Sequence, residues 1–221
     1  MTHAEWAQAC IAGTAKLWRS LEGQYPFWTA GFSVFYSPVN ATSKVVIVGA
    51  NPGGDATAFD ESVASTLPAV HDYYVVPDYK MARQMKDLFS RAGREDLLRH
   101  SIKLNLNFFR SRNTAEWMTA PPAVREKVEF RCRAWVLQLI ERIKPKVVLC
   151  EGLATFDKLQ ELFAYPEPRT TVWTASGGRA YVRSIKGGNH LLGLIHPTGA
   201  RPSAKTWHQV VAALRADLKG V

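Results

Sequence analysis

KVVIVGANPGGD, residues 44–55, joins a run of β-branched residues to a loop built from glycines, an asparagine and a proline. A short, uninterrupted apolar run ended by glycine reads as a strand buried on both faces, the kind found in parallel sheets. The loop that follows, Gly49-Ala50-Asn51-Pro52-Gly53, lets backbone N–H groups approach a ligand closely. It lacks the Gly-Lys-Ser/Thr of a phosphate-binding Walker loop and the GxGxxG of a dinucleotide fold, so ATP and dinucleotide binding lose their main support. A plain turn, with Asn51 capping its own backbone, remains the alternative at this point.

Outward from this stretch the pattern alternates. SIKLNL (101–106), KVVLC (146–150) and Leu191–Ile195 read as further buried strands, and Thr170–Thr174 with Ala180–Ile185 as a hairpin or strand pair. Apolar stripes at helical spacing lie between and around them: Trp6, Cys10, Leu17 and Leu21 near the start; Met81, Met85, Leu88 and Phe89 in a helix from Tyr79 to about His100. Val128, Cys132, Trp135, Val136, Leu139 and Ile143 mark a long helix closed by Pro145, and Trp207, Val210, Val211, Leu214 and Leu218 a final one. Strands alternating with helices predict a three-layer α/β/α sandwich with a central, mostly parallel four-stranded sheet, formed by residues 1–221 as a single domain. Residues 1–43 are expected as an N-terminal helix with an aromatic-rich loop packed on it. Residues 51–78 have no clean period, and a loop that long in a compact domain is usually functional.

In such sheets ligands bind outside the carboxyl ends of the strands. Asn51, Asn105, Glu151 and His196 each stand at or just after such an end, which predicts one site. His196, locked by Pro197 after a buried strand, suits a general acid or, when neutral, a donor to a developing oxyanion; a histidine satisfied by nearby backbone is the plainer reading. The Asn105 amide offers one acceptor and two donors, the complement of a carbonyl beside a ring N–H, which is a pyrimidine edge. A structurally satisfied or solvated asparagine is the alternative there.

Composition narrows the class. The 221 residues are 47% hydrophobic and 21% charged, which excludes a largely disordered chain. Lys and Arg number 28 against 19 Asp and Glu, a formal charge of +9 that favours an anionic partner, nucleic acid first. Three cysteines without a CxxC pair exclude a disulfide scaffold and a four-cysteine zinc or iron–sulfur site. No apolar run approaches a membrane span and no secretory signal pattern opens the sequence, so an intracellular location is expected, cytoplasmic in a bacterium.

GANPG at 49–53, LNLNFF at 104–109, PKVVLCEG at 145–152 and HPTGARPSAKTW at 196–207 occur in the order and at the strand ends of the uracil-DNA glycosylase superfamily. The chain is most similar to its mismatch-specific and single-strand-selective classes, which carry a G-x-N-P-G loop. The resemblance implies a monofunctional DNA glycosylase of base-excision repair, acting as a monomer on single- or double-stranded DNA that contains a deaminated base, uracil above all, with no cofactor and no metal. It implies Asn51 and His196 as the catalytic pair. Gly49, Ala50, Pro52, Gly53 and Asn105 would bind the base, with an aromatic stacked on it: Tyr74, or alternatively Phe59, Tyr73 or Tyr79. The loop 196–207 would press into DNA through Thr198, Gly199, Ala200, Arg201, Ser203 and Lys205, Arg201 being the wedge. Departures are Gly54-Asp55, where the family often has an aromatic or proline, and Thr198-Gly199-Ala200 in place of serine-proline. A catalytically weak or inactive DNA-binding protein on the same fold, or a hydrolase of nucleosides or nucleotides, are the rival functions.

Overall fold

The computed structural model of the chain describes residues 1–22, 24, 30–54, 59–75, 80–196 and 202–221. Its frame is a six-stranded mixed sheet in the order β2-β1-β3-β6-β5-β4. The strands are β1 (Val45–Gly49), β2 (Ile102–Asn105), β3 (Val147–Glu151), β4 (Arg169–Trp173), β5 (Arg179–Lys186) and β6 (Asn189–Leu194). Strands β2, β1, β3 and β6 run parallel, while β5 pairs antiparallel with both β6 and β4. The sheet is therefore larger than the four strands expected. The predicted strand pair at 170–185 does not stand apart; it extends the parallel core, because Gly187-Gly188 turns β5 straight into β6, with Lys186 opposite Asn189.

Alternation within the strands splits the core into two layers. Val46, Val48, Ile102, Leu104, Val148 and Cys150 face one side, where they meet α1 (His3–Glu22), α6 (Pro122–Ile143) and α7 (Leu153–Leu162). Val45, Ile47, Val147, Leu149, Leu192 and Leu194 face the other, against α3 (Lys80–Ala92), α4 (Glu95–Arg99) and α8 (Ala204–Asp217). The single helix expected from Tyr79 to His100 is two, broken at Gly93. The loop 51–78 carries the short α2 (Glu61–Ala64) and a 3-10 turn, Asp72–Tyr74, and α5 (Thr114–Met118) follows β2.

The aromatic segment does more than pack on α1, although it does that through Trp6–Phe35 and Trp18–Phe32 contacts at 6.3 and 5.7 Å. Phe35 bridges to Leu104 and Phe32 to Phe109, and the Tyr36 N–H donates to the Lys103 carbonyl at 2.9 Å. Residues 32–36 thus cover the open side of β2. No helix among the described residues is long and apolar enough to cross a membrane.

Candidate active site

The parallel strands end level. Gly49 lies opposite Asn105 on one side, and Glu151 opposite Leu194 on the other. Because side chains alternate, Lys103, Asn105 and Glu151 all emerge on the α3/α8 face, on either side of Gly49. The glycine is required by close approach: a methyl group there would stand 2.1 Å from Asn105 Oδ1 and 3.3 Å from Glu151 Oε2. Asn105 and Glu151 thus lean over Gly49, which carries no side chain to hold them apart.

Above this floor lies a cleft of about 740 Å³ whose lining includes Asn51, Asn105, Glu151, His196, Lys103 and Tyr36. That volume is within the usual range for ligand sites. The four strand-end residues named from the sequence therefore border one cavity. Gly49, Ala50, Pro52 and Gly53 line it as well.

The loop after β1 is held by the loop after β2. Leu106 and Asn107 N–H groups donate to the Gly49 and Ala50 carbonyls at 2.8 and 2.9 Å, and Ser111 N–H to the Pro52 carbonyl at 3.1 Å. Asn51 Nδ2 donates to Ser111 Oγ at 2.8 Å and to the Pro52 carbonyl at 3.1 Å. A carbonyl oxygen cannot donate, so the atom facing Pro52 must be the amide nitrogen, and Oδ1 is the acceptor left to a water or ligand. Asn105 differs: it is only 5% exposed, and among the described residues nothing hydrogen-bonds its amide. Its amide is not one of the fully buried polar atoms left without a partner; it opens onto the cleft, where water or a ligand completes it.

Under the cleft runs a buried ion pair. Lys103 Nζ lies 2.6 Å from Glu151 Oε2, and both side chains are 3% exposed. The Tyr73 hydroxyl donates to the other carboxylate oxygen. The ammonium also lies 5.3 Å from the Tyr36 ring centre and 4.9 Å from that of Tyr73, close enough for cation–π attraction. Asp72, on the cleft wall, has its carboxyl pKa raised by burial, opposed by Lys103 and reinforced by Glu151. At the exposed rim, desolvation lowers the pKa of His196 below the ordinary histidine value, with Glu151 pulling it up and Lys103 pushing it down. The neutral ring is thereby favoured.

Behind the ion pair, His71 Nδ1 accepts the Tyr73 N–H at 3.2 Å. Its Nε2 meets Ser101 Oγ at 3.1 Å, and that hydroxyl itself donates to the Leu98 carbonyl at 2.8 Å. The ring is thus neutral with its proton on Nε2. Burial, then Lys103, push its pKa down from 6.5 to about 4, against Glu151. The folded state resists protonation that the unfolded chain accepts near pH 6.5, so this contribution is complete above pH 6.5. It is lost as pH falls toward 4, by on the order of 3 kcal/mol. Unfolding free energies from urea denaturation at pH 7 and pH 4 are expected to differ by that much more in wild type than in His71→Gln; equal differences would dismiss the assignment.

Several sequence expectations land elsewhere. Tyr74 is not brought to the cleft: its ring lies under Arg99, 4.2 Å from the guanidinium, because the 3-10 turn aims Tyr73 inward instead. Tyr73 is spent on Glu151, and Phe59 lines a neighbouring cavity. Tyr36 is the aromatic that borders the site. Ser203 caps α8, its Oγ accepting the Thr206 N–H at 3.1 Å, and Lys205 is exposed in the first turn of that helix. The expected DNA loop is accordingly shorter than 196–207, since α8 starts at Ala204 and Trp207 bonds Asp87 at 3.3 Å. Tyr79, Thr198, Gly199, Ala200 and Arg201 lie outside the described residues.

Sequence reasoning missed Lys103, Ser111 and Tyr36. Lys103 left a usable sign: two residues before Asn105 on an otherwise apolar strand, it shares that residue's face. Among the described residues, no three His, Cys, Asp or Glu side chains cluster as a metal site would require. Set against known proteins, the chain matches no family model and no curated sequence.

Proposed function

We propose that this chain is a monofunctional DNA glycosylase that hydrolyses the N-glycosidic bond of an extruded deaminated base, uracil first. The observation that carries the reading is Asn105: a residue 5% exposed at the floor of a cleft, its amide without a hydrogen-bond partner among the described residues, with the two donors and one acceptor that a uracil edge complements. The proposal takes residues 1–221 as one domain acting as a monomer on DNA.

A base stacked in a duplex is out of reach, so it is turned out into the cleft at a cost of a few kcal/mol. Breaking the glycosidic bond leaves positive charge on the sugar and negative charge on the base. Neutral His196 donates to the base oxygen on which that charge grows. Asn51, its nitrogen tied to Ser111 and Pro52, presents Oδ1 to the attacking water and holds it toward the sugar carbon. The Lys103–Glu151 pair is a preorganised dipole under the departing base, which needs no reorientation during the reaction. Arg112, on the cleft lining and with its side chain 69% exposed beside its ion-pair partner Glu116, together with the excess of +9, serves the phosphate backbone.

The test is alkali-revealed cleavage of labelled oligonucleotides carrying one uracil, hypoxanthine or xanthine, single- and double-stranded. Breaks at the modified position with wild type, absent with an Asn51→Ala/His196→Ala double variant, are the expected result. Salt-sensitive DNA binding without a break at any base would replace the glycosylase by a binding protein.

A further inference from the structure

Next to the base cleft lies a second cavity, of about 330 Å³, with Tyr36 and Gly53 as walls common to both. Its remaining walls are of another character. Phe59, half-buried, supplies aromatic surface with the fully buried Phe32 behind it, Arg110 a guanidinium, and Val63, 69% exposed, an apolar rim.

Phe59 is held rigidly. Its ring packs edge-on to Trp18 at 5.0 Å and tilted to Phe32 at 5.7 Å. It also lies so close to Gly31 that a methyl there would come within 2.2 Å of the ring, at a backbone φ of +83° that suits only glycine. Arg110 is aimed in turn: Nε donates to the Gly53 carbonyl at 3.1 Å, and the guanidinium lies 6.0 Å from the Phe59 ring centre. The carboxylate on this wall, Asp60, is engaged by the Ser62 and Val63 N–H groups at the start of α2. Helix α2 is anchored to α1 by the Arg19–Glu61 ion pair and by the Gln8 amide on the Ser65 carbonyl at 2.8 Å.

Rigid aromatic side chains beside an oriented cation are the means by which proteins hold unpaired nucleobases, since every base has a π-face. A wall shared with the base cleft places such a platform one step along the same strand. We propose that this second cavity receives the nucleobase adjacent to the extruded one, so that the preferred substrate is an unpaired strand with two neighbouring bases unstacked, one on each side of Tyr36. The proposal rests on the glycosylase reading of the first cleft. It gives the aromatic segment and α2, which the chemistry of cleavage leaves unused, a role in selecting the substrate.

The experiment uses single-stranded oligonucleotides with one cleavable base, in which the base immediately 5′ or 3′ is replaced by a tetrahydrofuran spacer. For wild type, removing the neighbouring base on one side is expected to raise KM by about 5- to 150-fold, the range of base–aromatic stacking. Phe59→Ala is expected to show a raised KM with the complete strand and no further rise with the spacer. Val63→Glu, a change at an exposed position that leaves the core intact, is expected to raise KM for complete strands and to shrink the spacer effect. Cleavage indifferent to the spacer on both sides would overturn the second subsite while leaving the glycosylase standing. Absence of cleavage on every oligonucleotide would remove both.

Discussion

Glu151→Ala is expected to cost about 3–5 kcal/mol of folding stability, the usual penalty for removing one partner of a buried ion pair. The alanine strands two groups at once: the Lys103 ammonium, 3% exposed, and the Tyr73 hydroxyl that donates to the same carboxylate. Neither reaches bulk water from its place under the cleft. The double variant Lys103→Met/Glu151→Leu leaves no charge behind and is expected to be more stable than either Glu151→Ala or Lys103→Met alone, because apolar replacement of a buried pair is often neutral or better. Urea denaturation of the set measures this directly, and costs that simply add would refute the coupling. A double variant as stable as wild type would place the use of the pair in the cleft it underlies. The double variant is accordingly expected to fold and to cleave poorly.

The second large effect falls on turnover. His196→Ala is expected to lower kcat by about 10²- to 10³-fold, the measure of one lost oxyanion donor, with KM changed far less. The pH profile carries a separate signature. On the proposed glycosylase reading a neutral imidazole is the working form, and its pKa lies below the ordinary histidine value, mainly through desolvation at the sheet edge. Activity is therefore expected to hold through neutral pH and to fall only in acid, below the usual histidine range. His196→Gln keeps an N–H donor without that titration, so its acid limb should be absent. Single-turnover rates against pH decide the matter, and an unchanged limb in His196→Gln would assign the titration to another group.

How legible the site was follows from distance along the chain. Asn51, Asn105, Glu151 and His196 were readable because each closes a short buried strand, and alternating strands and helices bring such ends together. Lys103 was hidden by its company: inside SIKLNL it resembles a surface residue of a basic cluster, and only its partner on β3, 48 residues later, makes burial tolerable. Tyr36 reached the cleft through an irregular segment whose course depends on backbone pairing with β2, which no periodicity announces. The sheet was undercounted for a different reason. Gly187-Gly188 between two apolar runs is a strong two-residue hairpin signal, and it is this turn that joins the strand pair at 170–185 to the parallel strands. Tyr73 and Tyr74 were indistinguishable in sequence, and the choice between them is made by the 3-10 turn.

The segment laid along β2 has an effect on how molecules of this chain meet one another. An open strand at the margin of a sheet is a template on which a second chain can grow, the starting event of swapped dimers and fibrils. Residues 32–36 occupy that margin on the β2 side. On the β4 side the register slips twice, between Thr170 and Val172 and again between Val172 and Trp173, which breaks the even row of donors and acceptors an incoming strand needs. With both margins spoiled, an incoming strand finds no even row to pair with on either side of the sheet.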